Sequence, residues 1–235
     1  MDRALISFER FSWVSALLDL FYPRVCEVCG SGLVRGENYL CTSCLADFPF
    51  VDEDFATDRS VLDNFNENFR PEALHALFYY NKYSDYRKLV YSVKYHANRK
   101  LGVYLGRMLG QKIIRSCRAD CVVPIPLHPK RERERGFNQA REIARGVCEV
   151  LGVELLDNVV ERKRNNVSQT GKNAAERLEN VSGIFELRHP ELIRGRHILL
   201  LDDVITTGAT VGACLEALAE AGDVRFSLAC LARTM

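Results

Sequence analysis

A chain of 235 residues with 47% hydrophobic and 27% charged residues has the make-up of a soluble globular protein, long enough for one large domain or for one domain and a small module. Its formal net charge of +1 excludes a global attraction to nucleic acid, so any such contact has to come from local patches. Nine cysteines, an odd number, with no export signal ahead of them, point to a reducing cytoplasm rather than to a disulfide scaffold.

Residues 1–22 are apolar but interrupted by Asp2, Arg3, Glu9, Arg10 and Asp19. The uncharged run between Arg10 and Asp19 is too short to span a bilayer, and the start lacks the basic region and small-residue cleavage site of a signal peptide. We read an amphipathic helix over Leu5–Leu20, with Leu5, Phe8, Phe11, Val14, Ser15 and Leu18 sharing a face. Its polar side is not rich in Lys and Arg, which favours packing on its own domain or a partner over lying on a membrane.

Residues 23–50 contain Cys26-Glu-Val-Cys29-Gly30 and Cys41-Thr-Ser-Cys44, a CxxC–x11–CxxC pattern. Two such knuckles supply four thiolates, the set that tetrahedral Zn²⁺ prefers. A redox CxxC or a pair of disulfides would use the same residues, but redox motifs come singly and disulfides do not suit this compartment. With all four positions filled by cysteine, the zinc would be structural, and so small a segment would depend on it to fold. The other five cysteines (Cys117, Cys121, Cys148, Cys214, Cys230) sit among apolar residues and read as core thiols.

Residues 51–72 read as an acidic, solvated linker, in which Asp52, Glu53, Asp54, Asp58, Asp63 and Glu67 outweigh Arg59. A single domain then covers 73–235. Ala73–Tyr80 is predicted as a strand, and Asp85–Tyr95 and Lys100–Ser116 as helices, the second with an apolar stripe through Leu101, Leu105, Met108, Leu109 and Ile113. The basic, partly aromatic stretch Lys94–Lys100 fits a solvated turn better than a ligand contact. Cys121–Pro126 is a short strand, followed by a basic loop and a helix over Gly136–Val150 with Ala140, Ile143, Ala144 and Val147 inward. From Lys130 to Arg145 six basic residues stand against three acids. Such a loop could face a polyphosphate, with Arg offering bidentate geometry, or could be a surface helix start in which Glu132 and Glu134 neutralise the charge. Val153–Val160 reads as the next strand. The polar segment 161–181, with Arg162, Lys163, Arg164, Lys172 and Arg177, reads as a mobile lid, with a solvated loop or nucleic-acid arm as rivals. Gly183–Leu187 and Val224–Ala232 are further strands. Alternating strands and helices imply a parallel sheet with right-handed crossovers.

The most informative stretch is His197–Gly212. Ile198–Leu201 has the continuous apolar character of a strand buried on both faces. Two carboxylates, Asp202 and Asp203, follow, then Thr206, Thr207, Gly208, Ala209 and Thr210, and a helix over Ala209–Ala221. A strand, a hydroxyl- and glycine-rich turn and a helix N-terminus make an anion site. Carboxylates beside it can accept hydrogen bonds from sugar hydroxyls or hold Mg²⁺, so a sugar phosphate fits. The plainer alternative is a helix capped by Thr206 or Thr207.

LLLDDVITTGAT resembles the phosphoribosyl-pyrophosphate (PRPP) motif of type I phosphoribosyltransferases. The resemblance implies an α/β fold: a type I phosphoribosyltransferase-like parallel sheet flanked by helices, with a small N-terminal zinc-ribbon-like module. It places Asp202 and Asp203, as catalytic residues, against the ribose 2′- and 3′-hydroxyls, wraps Thr206–Thr210 around the 5′-phosphate, and brings Mg²⁺ with PRPP. Residues 73–115 would be the hood over an acceptor base. Taken with the CxxC pair, CVVPIPLHPKRERERGFNQA and SQTGKNAAERLENVSGIFEL, the chain resembles the ComF family of competence-associated proteins over residues 20–232. That resemblance implies a pyrophosphate and lid region including Pro126, Leu127, Lys130, Arg131, Arg135, Arg164, Gln169 and Arg177. It departs at Asn166, where Thr is usual, and at Lys94-Tyr95-His96-Ala97, where the usual glycine is missing. The family is bacterial, cytoplasmic and tied to natural transformation, with single-stranded DNA and a DNA-uptake helicase as implied partners. Two classes of function stay open: a phosphoribosyltransferase of undefined acceptor, or a catalytically silent single-stranded-DNA-binding or partner-docking protein.

Overall fold

In the computed structural model the residues described are 23–52, 62, 65–81, 83–95, 98–163, 183–206 and 208–234. The expected N-terminal helix lies outside them. The chain divides into two compact units, Met1–Phe48 and Pro49–Met235. No helix among the described residues is long and apolar enough to cross a membrane.

In the first unit the chain doubles back between the two knuckles, with Val25 bridged to Gly32 and Cys26 N–H donating to the Ser31 carbonyl at 2.8 Å. Helix α1 (Thr42–Ala46) starts directly after Cys41, whose sulfur accepts the Cys44 N–H. The Glu37 carboxylate ties the turn to the helix by accepting from Val34 N–H, Thr42 N–H and the Thr42 hydroxyl.

The second unit holds, in chain order, β1 (Leu74–Tyr80), α2 (Arg87–Tyr95), α3 (Arg99–Ile113), β2 (Cys121–Pro124), α4 (Pro129–Arg135), α5 (Gln139–Leu151), β3 (Glu154–Leu155), β4 (Val160–Arg162), β5 (Phe185–Leu187), β6 (His197–Ile205), α6 (Ala209–Ala219) and β7 (Arg225–Thr234). Five of the strands form a parallel sheet in the order β1-β7-β6-β2-β3. Both faces are buried. Ile198 and Leu200 share one core with Val211, Cys214, Leu215 and Leu218 of α6, and the alternating pleat turns Leu199 and Leu201 to the other face. α3 and α5 cross each other closely through glycines. A Cβ on Gly106 would lie 2.1 Å from the Ile143 carbonyl oxygen, and one on Gly146 would lie 2.1 Å from that of Val103.

Several expectations are corrected. Val153–Val160 is not one strand: Glu154–Leu155 ends the main sheet, the polar pair Asp157-Asn158 turns the chain, and β4 begins a separate pair. β5 pairs antiparallel with β4, so it lies outside the parallel sheet. The basic loop after Pro126 contains helix α4, because His128 Nδ1 accepts the Lys130 N–H, Pro129 takes the first position and Gly136, at φ +78°, ends it. The stretch 51–72 is not wholly solvated, since Val51, Leu62 and Phe65 join the core and Val51 N–H donates to the Leu77 carbonyl of β1. Of the five expected core thiols, Cys121, Cys214 and Cys230 are buried, whereas Cys117 and Cys148 are half-buried.

Candidate functional site

β6 carries apolar residues as far as Leu201 and then turns polar where it leaves the core. Asp202 and Asp203 therefore stand at the carboxyl end of the strand, where open α/β sheets bind ligands. Asp203 N–H donates to Asp202 Oδ1 at 2.8 Å. Burial and the adjacent Asp203 carboxylate push Asp202 up to about 7. Asp203 faces Lys94, whose Nζ lies 3.0 Å from Oδ1.

Beyond Ile205 the chain enters the turn that starts α6. Gly208 is the cap residue, at φ +76°, and a Cβ there would come within 3.1 Å of the Phe65 ring. Glycine is needed on both counts. No side chain caps the helix at Gly208. That leaves the first N–H groups of α6 pointing into a small cleft of about 40 Å³ bordered by Asp202, Thr206, Gly208, Ala209 and Thr210. Thr207 lies outside the described residues.

A larger cleft of about 210 Å³ adjoins it, sharing Asp202 and Thr210. Its far wall is Pro126 and Leu127 after β2 with Arg131 and Arg135 of α4. Asn138 holds this wall to the helix behind it: its Oδ1 caps α5 by accepting the Ala140 N–H, and its Nδ2 donates to the Ile125 carbonyl, both at 3.0 Å. Buried Gln139 accepts from Arg135 Nη1 at 3.0 Å and so aims that guanidinium, which also lies 5.8 Å from the Tyr95 ring centroid. Lys130 is exposed on α4 and does not line the cleft, while Arg164, Gln169 and Arg177 lie outside the described residues.

Three residues that sequence reasoning did not single out also reach the cleft. The solvated-turn reading of Lys94 is corrected: it lies in the last turn of α2 and faces Asp203. Arg162 was counted only as one of a basic run. It stands on β4, its guanidinium 5.5 Å from the Phe185 ring centroid and its buried Nε without a hydrogen-bond partner. Gln139 sat inside the quoted GFNQA with no role. No sequence signal marks the first two, because only the fold brings them to the end of β6.

In the first unit the four cysteine sulfurs lie within 4.8 Å of one another, with Cys29 and Cys41 at 3.7 Å, close to the sulfur–sulfur separation of a tetrahedral ZnS₄ centre. Backbone N–H groups of Cys41 and Cys44 point at the sulfurs of Cys26 and Cys41. The neighbouring Ser31 hydroxyl and N–H hold the Cys29 thiol down to about 6, favouring the thiolate that binds metal. Donor type and spacing fit Zn²⁺.

A strand–turn–helix anion cradle with paired acids on a parallel sheet, in a chain that also carries a four-cysteine ribbon, defines a phosphoribosyltransferase-like protein with a zinc module. Residues 133–235 match the phosphoribosyl transferase domain, and residues 17–56 the double zinc ribbon domain. The chain is similar to proteins named for DNA utilization and for competence. It is 29% identical over 153 residues to the DNA utilization protein YhgH of Salmonella typhi, spanning 63% of this chain and 66% of that one. It is 32% identical over 104 residues to Competence protein F of Haemophilus influenzae, 44% of this chain and 45% of that one. It is 41% identical over 109 residues to Competence protein ComFC of Streptococcus pneumoniae, 45% of this chain and 46% of that one. The matched region thus spans just under two thirds of the first relative and under half of the other two.

Proposed function

We propose that the Pro49–Met235 unit binds PRPP, or a nucleotide presenting the same charged groups, together with Mg²⁺, and that the protein serves the handling of incoming DNA in a bacterial cytoplasm. One observation carries the ligand reading: the helix-N-terminal cleft and the basic cleft meet at Asp202 and Thr210. A sugar seated there would have its 5′-phosphate on Thr206–Thr210 and its pyrophosphate against Pro126, Leu127, Arg131, Arg135 and Arg162. Asp202 and Asp203 would accept hydrogen bonds from the ribose hydroxyls between them. Oxygen donors of this kind suit Mg²⁺, which supplies further neutralisation of the diphosphate when bound with the ligand. In a transfer reaction the arginines would offset the charge growing on the leaving pyrophosphate as the anomeric carbon becomes cationic, with Arg164 and Arg177 as further contributors from the 161–181 segment. The zinc module holds its metal structurally, and its thiolates require a reducing compartment.

Calorimetry with PRPP and Mg²⁺ tests the site. Asp202→Asn with Asp203→Asn should abolish binding, and unchanged affinity rejects the assignment. Pyrophosphate release in the presence of a panel of bases then separates an enzyme from a binder.

A second reading rests on the cleft mouth. Tyr91 and Tyr95 are both more than half exposed, with ring centroids 5.4 Å apart, and Arg135 lies over Tyr95. Exposed rings beside guanidinium groups are what single-stranded DNA stacks on. Labelled oligonucleotide anisotropy should show binding that weakens steeply with salt and with Tyr95→Ala. A salt-insensitive signal, or none, counts against it.

A further inference from the structure

Four cations line the larger cleft: Lys94, Arg131, Arg135 and Arg162. Lys94 is the one that comes from α2, and its amine is engaged with Asp203 at 3.0 Å. The two side chains are only 22% and 14% exposed, whereas both members of the surface pair Arg107–Glu149 are about half exposed. Exposed pairs contribute little, but a shielded charge deprived of its partner is costly. Lys94 therefore stays on Asp203 until a diphosphate draws it away or another donor satisfies that carboxylate. A ribose hydroxyl would do so. In the PRPP-type reading of this cleft, on which the present step rests, Asp203 accepts from the sugar, and the sugar and the lysine compete for the same oxygens. A displaced ammonium on a flexible four-carbon stem has three other cations around it and needs an anion.

We propose that Lys94 is a ligand-contacting residue that passes from Asp203 to the ligand's diphosphate oxygens, a move that sugar hydroxyls on the carboxylate favour. The lysine is a counterion in the free protein and a phosphate contact in the complex. It reads the diphosphate end of the ligand and opposes, rather than assists, binding of the sugar end alone.

Opposite signs on two separate probes follow from this, and calorimetry with inorganic pyrophosphate and with ribose 5-phosphate reads them. Lys94→Met should weaken pyrophosphate binding about tenfold, the loss of one charge-assisted hydrogen bond, and should leave ribose 5-phosphate unchanged or bound more tightly. Lys94→Arg should restore part of the pyrophosphate affinity. Asp203→Asn should tighten pyrophosphate by releasing the lysine, and that gain should vanish in the Lys94→Met background. A gain that persists there is plain charge repulsion and overturns the proposal, as does an equal loss on both probes or no change on either. Wild-type protein that binds pyrophosphate with these signs but not PRPP keeps the exchange and rejects the PRPP reading. Binding of neither probe rejects both.

Discussion

Asp202 stands where two demands conflict. Its place at the end of a buried strand shields it from water, and its neighbour is another carboxylate, so its ionisation is pushed up to about 7 from an ordinary 3.8. Between those values the folded chain holds a proton that the unfolded chain has released. The stability from this group is therefore present at low pH and lost as pH rises through about 7. Asp202→Asn removes the ionisation, so its advantage over wild type in unfolding free energy from urea titration should grow by at least about 1 kcal/mol from pH 5 to pH 8. A gap that stays constant across that range would mean the carboxyl ionises normally. Ligand binding runs the other way: sugar hydroxyls donate best to an ionised carboxylate, so PRPP affinity should rise over the same interval.

The elements that position the cleft are held by backbone proximity rather than by bulky side chains. α3 and α5 touch through Gly106 and Gly146, and α5 in turn holds the Ile125 carbonyl through its cap residue Asn138. Gly106→Ala has no room, and should destabilise by about 3 kcal/mol in chemical denaturation, the upper range for overpacking. Gly102→Ala, whose Cβ would meet Glu142 Cβ at 3.2 Å, should cost far less. Equal costs would show that the helices can slide apart freely. Helix periodicity and strand hydrophobicity made most of these elements legible in the sequence. Leu101, Leu105, Leu109 and Ile113 are buried as the stripe required, and Ile198–Leu201 is buried on both faces. What could not be read were the elements fixed by local capping and by pairing partners. α4 hid in a charged run because its formation depends on the caps at His128 and Gly136. β4 and β5 look like any other short strands until their antiparallel register, Val160 with Leu187, is known. Lys94 was invisible as a site residue for a similar reason, since only the fold brings α2 beside the end of β6.

For the whole molecule, the two units are built on different physics. The larger has a core on both faces of a sheet, while the described residues of the smaller bury few side chains around four sulfurs. Metal removal by a strong chelator should abolish amide protection over residues 23–48 and leave that of β6 and β7 intact by hydrogen exchange. Loosening of both regions would show that the sheet depends on the metal. The strand order has a further effect on how such a molecule comes into being. Among the described residues β1 has one strand neighbour in the sheet, β7, with Leu74 set against Leu228, and its other edge carries only the Phe50–Phe78 bridge. A ribosome delivers those residues seconds to tens of seconds apart, at roughly 5–20 residues per second. Throughout that interval the apolar segment LHALFYY has only the short Pro49–Val51 stretch to lie against, through the Phe50–Phe78 bridge. The nascent chain therefore carries an apolar strand with one long edge open until synthesis has reached β7, and slowing translation between the two should raise the fraction that aggregates.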